Sequence, residues 1–200
     1  MIDFAATGLP AAAVLGELKT ELANRPNAVL VAPPGAVKTT LVPLALLGEA
    51  WVGGGRIVML EPRRLAARAA ARRMASLLGE RVGETVGYRM RMDSKTGPKT
   101  RIEIVTEGVF VRMILDDPEL SGTSVVIFDE FHERSLDADF SLALALDVQS
   151  ALREDLRIVI MSATLDGGRV ARLLDDAPVI ESAGRTYPVD IHYRPRKPDQ

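Results

Sequence analysis

The stretch VLVAPPGAVKTTLVPLAL, residues 29 to 46, contains side chains that could bind a nucleotide phosphate. An apolar run leads through Pro-Pro-Gly into a helical pattern that opens with Lys38 and Thr39. This order is typical of phosphate-binding loops, in which backbone N–H groups and a helix N-terminus face the anion. The pattern G-x-x-x-x-G-K-[ST] then predicts that Lys38 contacts the β- and γ-phosphates and that the Thr39 hydroxyl serves Mg²⁺.

The same loop departs from the pattern at both of its glycines. Ala32 stands at the first glycine position and Val37 at the second, directly before Lys38. Glycine lets the backbone approach an anion closely, whereas valine adds a branched and stiff side chain. We therefore expect a phosphate site that Val37 impairs. The alternative is a Pro-Gly turn before a helix that merely starts with Lys-Thr.

A pair of acidic residues, Asp129 and Glu130, directly follows the apolar run SVVIF. Two carboxylates at the end of a buried strand cost free energy unless a cation uses them. In a nucleoside triphosphatase of this layout the first carboxylate holds Mg²⁺ through its water shell, and the second orients and deprotonates the attacking water. The alternative is that both acids cap the following helix.

Short apolar runs alternate with longer segments of helical periodicity along the chain. The alternation predicts βαβ units and a mostly parallel sheet with helices on both faces. The long polar segment 87–101 is predicted to be a connection. The predicted strands are 28–32, 56–61, 101–105, 124–129, 156–161 and 178–182, and the predicted helices are 38–50, 63–80, 107–117, 136–154 and 167–176.

The composition fits a single globular domain, since 47% of the 200 residues are hydrophobic. The absence of cysteine excludes a disulfide framework and a thiolate metal site. A net charge of -2 means that any nucleic-acid surface must be a local patch. The N-terminus has no basic region, and no apolar run reaches the roughly 18 residues of a membrane span, so we expect a cytoplasmic protein.

Four motifs resemble those of superfamily 2 helicases, in the order of that family. Residues 129–132, DEFH, resemble the DEAH box with Phe in the third place, and residues 162–164 resemble the Ser-Ala-Thr motif. Residues 62–67, PRRLAA, and 106–108, TEG, resemble the motifs that follow two other strands. The stretches VGYRMR, DPELSG, DEFHERSLDADF and GRTYPV are most similar to bacterial HrpB-type DEAH helicases. The resemblance covers nearly the whole chain.

The resemblance implies a RecA-like P-loop ATPase domain over residues 1–183, the first motor domain of an ATP-dependent RNA helicase. Residues 184–200 would be a linker and the start of a truncated second motor domain. The implied cofactors are ATP and Mg, and the implied partners are single-stranded RNA or DNA and a second motor domain. The nucleotide would be bound by Pro34, Gly35, Ala36, Val37, Lys38, Thr39 and Thr40, with Arg73 against the base.

The resemblance also assigns the remaining roles. Thr39, Asp129 and Glu130 would serve the metal, and Asp129, Glu130 and His132 would serve catalysis. Nucleic acid would contact Arg63, Arg64 and Thr106, while Ser162 and Thr164, with His132, would couple nucleotide state to domain movement. The alternatives are a local helix cap for His132 and ordinary turn chemistry for Ser162 and Thr164.

A basic stripe on the predicted helix 63–80 is formed by Arg64, Arg68 and Arg72 at i, i+4 and i+8. Its alternative is a solvated helix face with Glu61 and Glu80 as partial partners. Two other functions stay open as well. One is a nucleotide-sensing or nucleic-acid-binding module that has lost catalysis through Val37. The other is a different P-loop ATPase such as a transporter subunit, against which the Ser-Ala-Thr and Pro-Arg-Arg motifs argue.

Overall fold

The computed structural model describes residues 10–32, 38–163 and 167–182. The predicted phosphate-loop residues Pro34, Gly35, Ala36 and Val37, the coupling residue Thr164 and the segment 184–200 lie outside these ranges. The elements in chain order are α1 (Pro10–Asn24), β1 (Asn27–Val31), α2 (Lys38–Leu46), β2 (Arg56–Leu60), α3 (Arg64–Leu78), β3 (Val86–Met90), β4 (Asp93–Lys95), β5 (Ile102–Val105), α4 (Glu107–Asp116), β6 (Thr123–Phe128), a 3₁₀ turn (Phe131–Glu133), α5 (Leu136–Ala151), β7 (Arg157–Ser162), α6 (Gly167–Leu173) and β8 (Val179–Glu181).

The strands form one eight-stranded sheet in the order β4-β3-β5-β2-β6-β7-β1-β8. Within the described ranges every strand pair is parallel except the β3–β4 hairpin. The predicted α/β class with a mostly parallel sheet is therefore confirmed, and each of the six predicted runs forms a strand. None of the described helices is long and apolar enough to cross a membrane.

Two hydrophobic layers cover the two faces of the sheet. Along β2, Ile57 and Met59 pack with helices α1 to α3, while Val58 and Leu60 pack with helices α4 to α6. A strand buried on both faces must be apolar at every position, which is why these strands appear in the sequence as continuous runs rather than alternating ones. The two layers fix the strands, and the strands in turn fix the position of the residues at their carboxyl ends.

The prediction that 87–101 is only a connection was wrong for its first half. Arg91 and Met92 form a two-residue loop between β3 and β4, with Met92 at a φ of 61°, and Tyr88 pairs with Lys95 across the hairpin. An edge hairpin needs only one apolar face, so its hydrophobic residues alternate with polar ones and make a weaker signal than a buried run. Helix α1 was also not predicted.

Candidate nucleotide and nucleic-acid site

The carboxyl ends of the central strands meet at one edge of the sheet, and the motif residues follow them. Main-chain hydrogen bonds continue beyond the strands: the Asp129 N–H donates to Leu60 O at 3.0 Å, and the Ala32 N–H donates to Ser162 O at 2.9 Å. These bonds hold the first residues after β1 and β6 in line with their neighbours. The edge of a parallel sheet is where open α/β folds place their ligand sites.

Four of the predicted residues lie together at this edge, and we call Lys38, Thr39, Asp129 and Glu130 the Lys38 cluster. The Thr39 hydroxyl donates to Asp129 Oδ2 at 2.5 Å, and Lys38 Nζ lies 3.5 Å from the Glu130 carboxylate. Lys38 is 3% exposed and Asp129 is 4% exposed. Thr40, the next residue of α2, is buried as well. Residues 90 positions apart in the chain are therefore brought into contact.

The cluster has the donor set of a Mg²⁺ site. Burial raises the pKa of Asp129 to about 6, and the hydrogen bond from Thr39 opposes this only in part. A carboxylate kept in such a place without full compensation favours a bound cation. A hydroxyl and carboxylate oxygens are ligands that Mg²⁺ accepts, with water and phosphate oxygens completing its shell. The residues present at this edge therefore fit the metal.

Glu61 is a buried acid at the same edge that the sequence motifs did not assign to the site. It follows β2 as Asp129 follows β6, and it is only 2% exposed. Burial and the nearby Asp129 charge raise its pKa to about 7, while the Arg63 backbone N–H, which donates to Glu61 Oε1 at 3.1 Å, lowers it in part. Its position directly after a buried strand was a signal available in the sequence.

The 3₁₀ turn Phe131–Glu133, called the 131–133 turn, is set between two strained residues. Glu130 and Arg134 have φ values of 51° and 43°, in the left-handed region that non-glycine residues seldom adopt. Phe131 anchors the turn in the core, edge-to-face with Phe128 at 6.1 Å, and Phe128 meets Phe110 of α4 in the same way. The Phe in the third place of the DEFH motif is thus a core residue.

His132 links the 131–133 turn to the end of β7. Its Nδ1 accepts a hydrogen bond from the Ala163 N–H at 3.2 Å, so the proton of a neutral imidazole lies on Nε2. The same Nδ1 lies 3.4 Å from Glu130 Oε2. The partner of His132 lies 31 positions away, not in the local cap given as its alternative. Ser162, predicted with it, is buried at the end of β7.

The predicted nucleic-acid residues lie along the same edge of the sheet. Arg63 is exposed, and its guanidinium forms an ion pair with Glu133. Arg64 donates to Arg91 O of the hairpin loop at 3.0 Å. Thr106 precedes α4 and lines a cavity of about 760 Å³ beside that helix. The structure brings Arg63 to the 131–133 turn, whereas Arg64 and Thr106 face other neighbours.

The basic stripe on α3 has different partners from those suggested by the sequence. Arg68 forms an ion pair with Asp93 of β4, and this contact lowers the pKa of Asp93. Glu80 instead accepts from Thr85, and Glu61 faces the strand ends. Arg72 and Arg73 are both exposed on α3. The place of Arg73 beside a nucleotide base stays a prediction.

Residues 16–173 match the family model described as DEAD/DEAH box helicase. The chain is 57% identical over 189 residues to the ATP-dependent RNA helicase HrpB of Escherichia coli, covering 94% of the chain and 23% of the relative. It is 37% identical over 179 residues to the ATP-dependent RNA helicase HrpA of Borreliella burgdorferi, covering 90% of the chain and 22% of the relative. The chain thus spans about a quarter of the length of these relatives.

A crystal structure of the Escherichia coli DEAH/RHA helicase HrpB matches with a TM-score of 0.88 and 57% identity, over 96% of this chain and 24% of that chain. A second crystal structure, of the E. coli DExH-box NTPase HrpB, matches with a TM-score of 0.85. The predicted RecA-like fold and the resemblance to HrpB-type helicases are confirmed by these matches. From its motifs, its fold and its relatives, the chain belongs to the DEAD/DEAH box helicase family.

Proposed function

We propose that this chain is the first motor domain of an ATP-dependent RNA helicase, with residues 1–183 forming the domain and 184–200 leading towards a second motor domain. The observation that supports this most directly is the Lys38 cluster, in which the Lys38 amine lies 3.5 Å from the Glu130 carboxylate and the Thr39 hydroxyl donates to Asp129. The substrates would be Mg-ATP and single-stranded nucleic acid, RNA by analogy with the names of its relatives.

Each residue of the cluster has a role that its environment suits. Lys38 would carry charge to the β- and γ-phosphates, and Thr39 with Asp129 would hold Mg²⁺, which neutralises the developing phosphate charge when bound. Glu130 is only partly buried and would orient the attacking water and take its proton. Its salt bridge to Lys38 must open for this, because the amine would turn to the phosphates.

The coupling role of His132 is supported by its hydrogen bond to the Ala163 N–H. That bond connects His132, two residues after Glu130, to the segment that follows β7. A movement of the Glu130 backbone would therefore also move Ala163. Arg63, Arg64 and Thr106 would contact the nucleic-acid backbone, where guanidinium and hydroxyl groups position a strand without reading its sequence.

The proposal is tested by titrating Mg-ATP into the chain and into Lys38→Met. We expect Lys38→Met to abolish measurable binding, while the matched control Lys99→Met, at an exposed position, leaves the binding curve unchanged. Hydrolysis, measured as phosphate release, should require Glu130 and be lost in Glu130→Gln with nucleotide binding retained. Equal binding by Lys38→Met and the chain would contradict the proposed phosphate site.

A second candidate function, favoured by Val37, is a nucleotide-sensing or nucleic-acid-binding module with little catalysis. Valine replaces the glycine that precedes Lys38 in the phosphate-loop pattern. The two candidates differ in one measurable respect. A working motor hydrolyses ATP faster when single-stranded RNA is added, whereas a silent module binds RNA with no change in phosphate release.

A further inference from the structure

The ion pair between Arg63 and Glu133 joins two parts of the molecule that serve different ligands. Arg63 belongs to the loop after β2 that is proposed to contact nucleic acid, and Glu133 is the last residue of the 131–133 turn that follows Glu130. The guanidinium contacts both oxygens of the carboxylate, with Nε 3.2 Å from Oε2. A charged group proposed for a phosphate is therefore already occupied by an internal carboxylate.

This ion pair is open to competition. The Arg63 side chain is 66% exposed and the Glu133 side chain is 32% exposed, so solvent screens their attraction. Exposed ion pairs of this kind contribute little net free energy. A phosphodiester presents the same bidentate pair of acceptor oxygens to a guanidinium as a carboxylate does. A nucleic-acid backbone can thus replace Glu133 at Arg63 at small cost.

Release of Glu133 would act on the catalytic residues beside it. One carboxylate oxygen of Glu130, one ring nitrogen of His132 and one carboxylate oxygen of Glu133 lie within 4.8 Å of one another. While Arg63 is paired with Glu133, it balances the charge next to Glu130. Once Arg63 moves to a phosphate, Glu133 is left to repel Glu130 across this short distance.

The 131–133 turn is built to respond to such a change. Glu130 and Arg134, on either side of it, have positive φ values, and a non-glycine residue keeps such a conformation only when surrounding contacts hold it. Among the described residues those contacts include Phe131 in the core, His132 at Ala163 and Glu133 at Arg63. The contacts of Phe131 and His132 are with the domain core and the end of β7. The contact of Glu133 is with Arg63, a residue proposed to bind nucleic acid.

We propose that Glu133 is a positioning residue that competes with a nucleic-acid phosphate for Arg63, so that RNA binding frees the turn carrying Glu130 and His132. The inference rests on the proposed function, because it assumes that Arg63 contacts nucleic acid. It assigns Glu133 two effects: it weakens RNA binding, and it transmits the presence of RNA to the carboxylates.

Binding of a fluorescein-labelled single-stranded RNA oligonucleotide to the chain tests the first effect. We expect Glu133→Gln to tighten binding by about two- to fivefold, the size expected for losing an exposed competing ion pair. Arg63→Gln should weaken binding, and adding Glu133→Gln to Arg63→Gln should then change nothing. Asp137→Asn, which removes one exposed carboxylate nearby, is the control for diffuse charge and should tighten binding less than Glu133→Gln does.

The second effect is measured by NMR on the imidazole of His132, one of the two histidines of the chain, assigned with a His192→Gln variant. RNA should shift the His132 ring signals in the chain, and the shift should be absent in Glu133→Gln although that variant binds RNA. A purely structural role for Glu133 would leave the shift in place.

The outcomes separate this inference from the proposed function. Equal RNA binding by the chain and Arg63→Gln would overturn the proposed contact and this inference with it. Weaker binding by Arg63→Gln, together with no effect of Glu133→Gln or an equal effect of Asp137→Asn, would overturn only the competition at Arg63.

Discussion

The Lys38 cluster and the pair Arg63 and Arg64 lie on the same edge of the sheet, but their charges differ in burial and in the kind of partner. Lys38 and Asp129 are almost fully buried, and each is held by a partner inside the cluster. Arg63 and Arg64 are exposed, and their partners lie on other surface segments. Buried charges have fixed geometry and large energetic consequences, whereas exposed charges can change partners cheaply. The difference suits the proposal of a nucleotide site beside a surface that binds and releases a nucleic-acid strand.

The largest expected effect concerns the phosphate loop. Val37→Gly should tighten Mg-ATP and Mg-ADP binding by about two to four orders of magnitude, because valine there costs roughly two charge-assisted backbone contacts to phosphate. Isothermal titration of both nucleotides into the chain and the variant measures this. Micromolar binding that the substitution leaves unchanged would mean that the loop tolerates valine.

The next effect is on the core behind the cluster. Phe131→Ala should destabilise the chain by about 3 to 5 kcal/mol, the usual cost of deleting a buried aromatic ring. Phe131 is buried, whereas Phe140, on α5, is half-exposed, so Phe140→Ala is the matched control and should cost much less. Urea unfolding followed by circular dichroism gives both values. Equal losses would show that Phe131 does not anchor the turn.

Glu61 should make stability depend on pH. Its pKa is raised in the folded chain from 4.5 to about 7, so the free energy of unfolding should fall as pH rises through this range and level off above it. Glu61→Gln keeps an acceptor for the Arg63 N–H and should be more stable than the chain by about 3 kcal/mol at pH 8, with little difference at pH 4.

Urea unfolding at a series of pH values checks this for Glu61→Gln, with Glu84→Gln at an exposed position as the control. Because other groups titrate in both proteins, only the difference between the two curves reports on Glu61. Parallel curves for the chain and Glu61→Gln would mean that the buried carboxyl ionises as freely as in the unfolded chain.

The smallest expected effect is at the surface. Arg63→Ala and Arg64→Ala should each weaken single-stranded RNA binding by about tenfold at low salt and reduce the slope of log affinity against log salt by about 1. Arg172, which is exposed on α6, is the control. Arg157 is less suitable, since its guanidinium lies 4.3 Å over the Trp51 ring. An equal loss of RNA affinity in Arg172→Ala would mean that Arg63 and Arg64 act only through the overall positive charge and make no specific contact.

The sequence sufficed for the parts of the molecule in which burial dictates the residue type. The six apolar runs predicted their strands, and Asp129 with Lys38 could be placed at one edge because the ends of parallel strands meet there. The β3–β4 hairpin at the sheet edge was not predicted, because its hydrophobic residues alternate with polar ones. The ion-pair partners of Arg63 and Arg68 could not be predicted for another reason. Residues that pair across the surface are far apart in the chain and follow no regular sequence spacing.

The three phenylalanine rings behind the DEFH motif have a consequence for how this sequence can diverge. Phe110, Phe128 and Phe131 stand edge-to-face in a row across α4, β6 and the 131–133 turn. A smaller residue at position 131 opens a void that a larger one at 110 or 128 must fill, because cores tolerate change best when total volume is kept. Substitutions at these three positions should therefore be inherited together. A change in α4, which begins within the Thr-Glu-Gly motif, should accompany a change at the third residue of the DEFH motif.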